Sequence, residues 1–247
     1  MKDTVIKAEK LSKRFGDFIA ANELSFEVYP GEIFGFLGAN GAGKTTAMRM
    51  LCGLSIPSSG QATVAGFDVY RQTDEIKRNI GYMSQKFSLY EDLTVLENIR
   101  FYAGIYGLSN KEIREKSDEL VTRLGLESES EKLVSALPLG WRQKLSFSVA
   151  IIHQPKIVFL DEPTGGVDPV TRRQFWDLIY AASDQGITVF VTTHYMDEAE
   201  YCNRISIMVD GRIDALDTPA NLKQQFAARS MDEVFYQLAR KAKRQAD

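Results

Sequence analysis

The stretch Ile33-Phe34-Gly35-Phe36-Leu37-Gly38-Ala39-Asn40-Gly41-Ala42-Gly43-Lys44-Thr45-Thr46 decides how the rest of the chain is read. An apolar run leads into the pattern G-x-x-x-x-G-K-[ST], and Ala47-Met48-Arg49-Met50-Leu51 follows with helical character, so the local order is strand, glycine loop, helix. Glycines let the backbone wrap closely around phosphate oxygens, while successive N–H groups and the helix N-terminus point partial positive charge at them. Gly38, Asn40, Gly41, Ala42, Gly43, Lys44, Thr45 and Thr46 are therefore candidate phosphate-binding residues. In this pattern Lys44 reaches the β- and γ-phosphates and the Thr45 hydroxyl binds Mg²⁺.

Ile157-Val158-Phe159-Leu160-Asp161-Glu162 is the second signal. An apolar strand delivers two acids at its carboxyl end, the edge where ligands collect in open α/β sheets. Asp161 is the candidate ligand of Mg²⁺ or of its water. Glu162 is the candidate for polarising an attacking water, a task that needs a carboxylate near the metal but not on it. Neighbouring side chains on a strand point to opposite faces, although the strand is ending at this point.

The rest of the chain has a consistent grammar. Runs at 5–9, 24–28 and 33–37 read as strands, and those at 156–160, 187–192 and 205–209 alternate with helical stretches, which predicts a parallel sheet wound with helices. From 88 to about 139 the character is helical; with a helix predicted at 141–153 this forms an inserted lobe. Ser109-Asn110-Lys111-Glu112 reads as a capping box and Gly125 as a stop. Asp168 and Pro169 open a later helix that Gly186 closes. The last segment, 230–247, is amphipathic, with Val234, Phe235 and Leu238 inward. Arg240, Lys241, Lys243 and Arg244 gather at its end, either as a solvated terminus or as a contact to acidic lipid or a partner.

Composition limits the alternatives. With 44% hydrophobic and 26% charged residues, 247 residues can bury a substantial core. Thirty Lys+Arg against 33 Asp+Glu, a net of −3, give no global basic field, so no nucleic-acid partner is expected. Cys52 and Cys202 are the only cysteines, which excludes a disulfide scaffold and a cysteine-based zinc site. The first residues carry no apolar leader, and no apolar run approaches the roughly 20 residues of a membrane span. A cytoplasmic chain is expected, with any membrane role exercised through a partner.

Taken together, residues 5 to about 225 resemble the nucleotide-binding subunit of an ATP-binding-cassette (ABC) transporter. The resemblance implies an α/β P-loop NTPase of ABC type: a mainly parallel core, an N-terminal antiparallel β subdomain and an inserted α-helical subdomain. It divides one ATPase domain, 1–247, into a RecA-like core at about 1–87 and 154–217, a helical subdomain at 88–153 and a C-terminal helical extension at 218–247. Gln85, after Ile80-Gly81-Tyr82-Met83-Ser84, is similar to the family's Q-loop glutamine, which meets Mg²⁺ and the attacking water and links the site to the helical lobe. Gly165-Gly166-Val167-Asp168 is similar to its D-loop, and Thr192-Thr193-His194 to its switch histidine, which senses the γ-phosphate. Phe15, in Lys13-Arg14-Phe15-Gly16, stands where the family stacks adenine on an aromatic ring, a contact worth about 1–3 kcal/mol at nucleic-acid sites. It reads equally as core of the first hairpin.

One segment departs from the family. Its signature, L-S-G-G-Q, is replaced by Leu137-Pro138-Leu139-Gly140-Trp141. Pro138 offers neither a hydroxyl nor an N–H. Gly140, the N–H of Leu139 and the dipole of the following helix remain to meet ATP held by the opposite subunit, which leaves room for slow or asymmetric hydrolysis. L-P-L-G-W together with the T-T-H-Y-M-D-E-A-E stretch at 192–200 is similar to exporters of the ABC-2 type.

The resemblance thus implies a subunit that binds and hydrolyses ATP, with Glu162, His194, Gln85 and Lys44 in catalytic roles. Phe15, Leu139, Gly140 and Asp168 would add to the nucleotide contacts, and Thr45, Gln85 and Asp161 would hold Mg²⁺. The implied partners are a second ABC subunit, in a homodimer or heterodimer, and an integral membrane permease contacting the 87–93 region, on the inner face of the membrane. Phe87, Tyr90 and Leu93 suit such an exposed socket or ordinary loop packing. Two rivals stay open: a non-transport cassette, and a weakly hydrolysing regulatory module motivated by Pro138 and Leu139. The short spacing between Gln85 and Leu137 leaves no room for the long coiled coil of repair cassettes, and no N-K-x-D guanine reader occurs.

Overall fold

In the computed structural model of the chain, residues 3–85 and 89–246 are described, those at 241–246 by backbone alone. The chain opens with an antiparallel hairpin, β1 (Ile6–Phe15) and β2 (Phe18–Val28), and then β3 (Ile33–Gly38) leads through the glycine loop into α1 (Lys44–Leu51). After β4 (Ser59–Val64), β5 (Phe67–Asp68) and α2 (Thr73–Asn79), β6 (Ile80–Met83) enters the main sheet. The inserted lobe holds α3 (Val95–Ile105), α4 (Asn110–Leu124) and α5 (Leu139–Ala150). β7 (Ile157–Asp161), α6 (Pro169–Asp184), β8 (Thr188–Thr193), a 3-10 turn (Met196–Tyr201), β9 (Arg204–Val209), β10 (Arg212–Asp217), α7 (Pro219–Gln225) and α8 (Met231–Ala246) complete it.

Two sheets result. β2-β1-β4-β5 is antiparallel, and β10-β9-β3-β8-β7-β6 is parallel except for its β10 edge. β3, β7 and β8 are buried along their whole length, which is why their sequences are continuous apolar runs and not alternating ones. One face of the main sheet meets the antiparallel sheet through Phe26, Phe34, Phe36, Phe159 and Phe190, whose ring centroids lie 5.3–6.2 Å apart. The other face packs on Phe147 of α5 and on Phe175 and Trp176 of α6. A third cluster, including Val95, Ile99, Leu120, Leu124 and Leu145, is confined to the helical lobe.

The expected strands appear, with β1 and β2 longer than their apolar cores because the hairpin continues to Phe15 and Phe18. The capping box at Ser109 and Glu112 is formed, with Gly125 left-handed behind α4. A second box, Thr94 with Glu97, opens α3 and escaped the sequence reading, although it follows the same S/T-x-x-E rule. The helix expected at 141–153 instead runs Leu139–Ala150. Pro138 is its N-cap, so Leu139 and Gly140 lie inside the first turn, where a preceding proline interrupts no helical hydrogen bond. Leu93 is half-buried and so does not join an exposed socket; Phe87 lies outside the described residues. Val234 and Leu238 of α8 are buried and Phe235 packs beside them as expected; the side chains of Lys241, Lys243 and Arg244 lie outside the described set.

His153 pins the lobe to the sheet. Its ring stacks on Tyr106 at 3.7 Å, and Nε2–H donates to the Ile80 carbonyl at 3.1 Å. Burial pushes its pKa down to about 4. The unfolded chain takes up the proton near pH 6.5 and the folded chain only near 4, so stability is expected to decline as pH falls through that window. Thermal midpoints recorded from pH 7 to pH 4 should fall less steeply in His153→Gln than in the parent. Equal slopes would remove His153 as a source of the acid lability.

Candidate active site

Strand order builds the site. β3, β8, β7 and β6 are parallel neighbours in register, Leu37 opposite Thr193, Thr192 opposite Asp161, and Leu160 opposite Met83. Their carboxyl ends therefore deliver the glycine loop, His194, Asp161 with Glu162, and Gln85 to one edge. Phe18, Ala20, Asn40, Gly41, Gly43, Lys44, Thr45, Thr46, Gln85 and Glu162 line a cleft of about 380 Å³ there. Gly43 is required by shape: its φ is +101°, and a Cβ would stand 2.1 Å from the Ala20 carbonyl oxygen. Gly38 and Ala42 are buried behind the loop, where the Gly38 carbonyl accepts from Lys44.

Three polar side chains of this edge, those of Lys44, Gln85 and His194, converge on Glu162. Lys44 Nζ lies 3.3 Å from its Oε1, and Oε2 accepts from Gln85 Nε2 at 3.0 Å. His194 Nδ1 stands 3.1 Å from the same Oε2; since a carboxylate only accepts, Nδ1 carries the proton. Lys44, 4% exposed, also donates to the carbonyls of Gly38 and Ala39. Glu162 leaves β7 in the left-handed region, φ +49°, which costs a non-glycine residue about 1–2 kcal/mol. That turn resolves the expectation that the two acids face opposite ways: both carboxylates reach the loop. Asp161, 2% exposed, accepts from Thr45 Oγ1 at 3.1 Å and Thr192 Oγ1 at 2.7 Å.

These donors suit Mg²⁺. Thr45 and Asp161 already adjoin, Gln85 adds an amide, and all are hard oxygen ligands. Mg²⁺ commonly uses one or two protein carboxylates and completes its shell with phosphate and water. Among the described residues no cluster of three or more His, Cys, Asp or Glu forms an all-protein metal cage.

Phe15, Leu139, Gly140 and Asp168 stand apart from this cleft. Phe15 is exposed with Lys13 5.1 Å over its ring, and its cross-strand partner Phe18 is the aromatic that lines the cleft. Sequence reasoning passed over Phe18, which is as aromatic as Phe15 and differs only in standing on the far side of the hairpin turn. Leu139, Gly140 and Asp168 line a second cleft of about 340 Å³ with Trp141, Lys144 and Thr171. Gly140 lets α5 approach α6, since a Cβ there would stand 2.4 Å from Thr171 Cγ2. Asp168 caps α6, accepting from the N–H groups of Val170 and Thr171, and hydrogen bonds from Thr171 hold its carboxyl below the ordinary range.

The family model described as ABC transporter matches residues 21–165. YbhF of Escherichia coli, described as a probable multidrug ABC transporter ATP-binding protein, is 48% identical over 241 residues, covering 96% of this chain and 42% of YbhF. The chain thus spans less than half the length of that relative. LnrL of Bacillus subtilis, a linearmycin resistance ATP-binding protein, is 34% identical over 219 residues, 88% of this chain and 70% of LnrL. The solved structure of an ATP-binding subunit of an ABC transporter has a TM-score of 0.85 to this fold at 27% identity, covering 95% of this chain and 99% of that one.

Proposed function

The chain belongs to the ABC transporter family, and we propose that it binds ATP with Mg²⁺ in the cleft at the glycine loop and hydrolyses it to drive export through a separate membrane subunit. The observation that carries this reading is the convergence of Lys44, Gln85 and His194 on Glu162, beside the Thr45–Asp161 pair. Glu162 is the general base, Lys44 the ligand of the β- and γ-phosphates, His194 the γ-phosphate contact and Gln85 the group beside the attacking water. Mg²⁺, held by Thr45, Asp161 and Gln85, supplies charge neutralisation to the phosphates when bound. Lys44 and Glu162, 3.3 Å apart, neutralise each other in this structure. A triphosphate competes for Lys44 and releases the carboxylate to take a proton from water.

A second copy or a related subunit completes the site. Leu139, Gly140 and Asp168 line a cleft of their own, so within one chain they do not close over the glycine loop. From a facing subunit, the start of α5 would bring N–H groups and a helix dipole to the γ-phosphate despite the proline at 138. ATP turnover by the purified chain is therefore expected to rise more steeply than linearly with protein concentration. Strict proportionality across the dimerisation range would overturn the shared site.

The membrane subunit is the other partner, a reading supported by a relative named as an ABC transporter ATP-binding protein; no helix among the described residues is long and apolar enough to cross a membrane. We place its contact at the 87–93 region, where Tyr90 is exposed and packs edge-on against Phe101 at 5.0 Å. Leu54, Ile80, Ile105 and Tyr106 line an apolar groove on the lobe's border that Lys77 and Arg78 also line, a surface suited to a short helix carrying acidic residues. That contact puts the chain on the inner face of the membrane. Relatives named as a probable multidrug ABC transporter ATP-binding protein and a linearmycin resistance ATP-binding protein support export, and the L-P-L-G-W stretch at 137–141 supports an ABC-2-type membrane subunit. The domain division into core (about 1–87 and 154–217), lobe (88–153) and extension (218–247) is supported by the lobe's own apolar cluster.

A further inference from the structure

The segment Tyr195-Met196-Asp197-Glu198-Ala199-Glu200 reads as a charged surface turn. Two of its acids behave that way: Asp197 and Glu200 are exposed, and Glu200 pairs with Lys223 at 2.6 Å. Glu198 does not. It is 0% exposed, and each of its oxygens accepts from a buried threonine hydroxyl, Oε1 from Thr164 and Oε2 from Thr193, both at 2.5 Å.

The two threonines belong to different loops of the site. Thr164 is two residues beyond Glu162, and Thr193 directly precedes His194. Thr193 Oγ1 also accepts from the Tyr195 N–H at 3.0 Å, which fixes the backbone on both sides of His194. Arg172 of α6 closes the network: its Nε lies 3.7 Å from Glu198 Oε1, and its guanidinium lies 4.3 Å over the Tyr195 ring, which in turn sits 4.2 Å from the His194 ring. We propose that Glu198 is a positioning residue that locks the loop carrying Glu162 to the loop carrying His194, so that the two side chains meet in the geometry hydrolysis requires.

The physical argument is one of cost. A buried carboxylate is expensive, and a buried ion pair is often no more stabilising than apolar side chains of the same volume. A Leu or Met would fill the space without that cost. What an apolar residue cannot do is accept from two hydroxyls in fixed directions, and hydrogen bonds of that kind set loop position to a fraction of an ångström. Glu198 touches neither Glu162 nor His194 by any hydrogen bond found among the described residues. Its influence therefore passes through Thr164 and Thr193.

This inference rests on the reading of Glu162 and His194 as the hydrolytic pair. Its test is steady-state ATP turnover of Glu198→Leu, Glu198→Gln and Thr164→Val, alone and combined with His194→Ala. Glu198→Leu is expected to lower kcat by on the order of 10²-fold while KM for ATP stays within about threefold, since misplaced groups slow chemistry more than binding. Glu198→Gln, which keeps an oxygen acceptor, should recover most of the loss, and Glu198→Leu should cost little more once His194 is already Ala. Parent-like kcat in Glu198→Leu overturns the proposal, as does a loss that multiplies fully with His194→Ala. Should Glu198→Leu not fold, Thr164→Val decides: about a tenfold loss of kcat supports the lock, and parent turnover overturns it. A parent chain indifferent to Glu162→Gln instead overturns the reading of the site itself. A parent sensitive to Glu162→Gln but indifferent to Glu198→Leu overturns the positioning role alone.

Discussion

Glu162→Gln is expected to cut ATP turnover by about 10²–10⁴-fold while leaving nucleotide affinity within a few-fold of the parent. The substitution keeps the shape of the side chain and an oxygen that can accept from Gln85 or His194, which stand 3.0 and 3.1 Å away. It removes the capacity to take a proton from water. It also removes the charge facing Lys44 at 3.3 Å, so the lysine becomes easier to recruit to phosphate and binding should hold or tighten. ATP-loaded chains that cannot hydrolyse should accumulate as closed dimer, visible by size-exclusion chromatography or scattering. Turnover equal to the parent would remove Glu162 as the base, and Asp161, already committed to Thr45 and Thr192, would be a poor substitute.

Lys44→Ala tests the other half of the site. Two charge-assisted hydrogen bonds to phosphate oxygens, each worth about 1.5–3 kcal/mol, predict an affinity loss on the order of 10²–10⁴-fold, read by equilibrium titration with a fluorescent nucleotide. A second effect follows from the contact between Lys44 and Glu162. Lys44 is buried against Glu162, and taking one partner from a buried pair costs about 3–5 kcal/mol where water cannot reach the other. Here the cleft admits water and Gln85 and His194 still face the carboxylate, so the stability loss should stay below that range. Thermal unfolding without nucleotide separates the two effects. Unchanged nucleotide affinity would count against the glycine loop as the phosphate cradle, whatever the stability result.

Several parts of this molecule were readable residue by residue. The glycine loop is a local object: spacing of Gly38, Gly43 and Lys44 is enough to specify it, because its function lies in backbone N–H groups and the start of one helix. The central strands were equally plain, since burial on both faces demands the uninterrupted apolar runs of 33–37 and 157–160. The caps at Ser109 and Asp168 were legible for the same reason, each being an interaction that spans three residues. Where reading failed locally, the failure was of boundaries: Pro138 begins α5 two residues earlier than expected, which moves Leu139 and Gly140 from a loop into a helical turn.

Residue spacing alone specifies the set of parts: a phosphate loop, an acidic strand end, a glutamine and a histidine after strands, and a helical lobe. How these parts meet is a property of the folded sheet. The order β3-β8-β7-β6 places four distant segments on one edge, and the left-handed turn at Glu162 brings its carboxylate to Lys44 instead of the opposite face. Phe18 lines the cleft where Phe15 does not, and Glu198 is buried although the acids on either side of it, Asp197 and Glu200, are exposed. The physical reason is common to all of these. Hydrogen-bond partners and burial depend on which strands neighbour each other and which way a side chain leaves the backbone, and neither is carried by the spacing of residues along the chain.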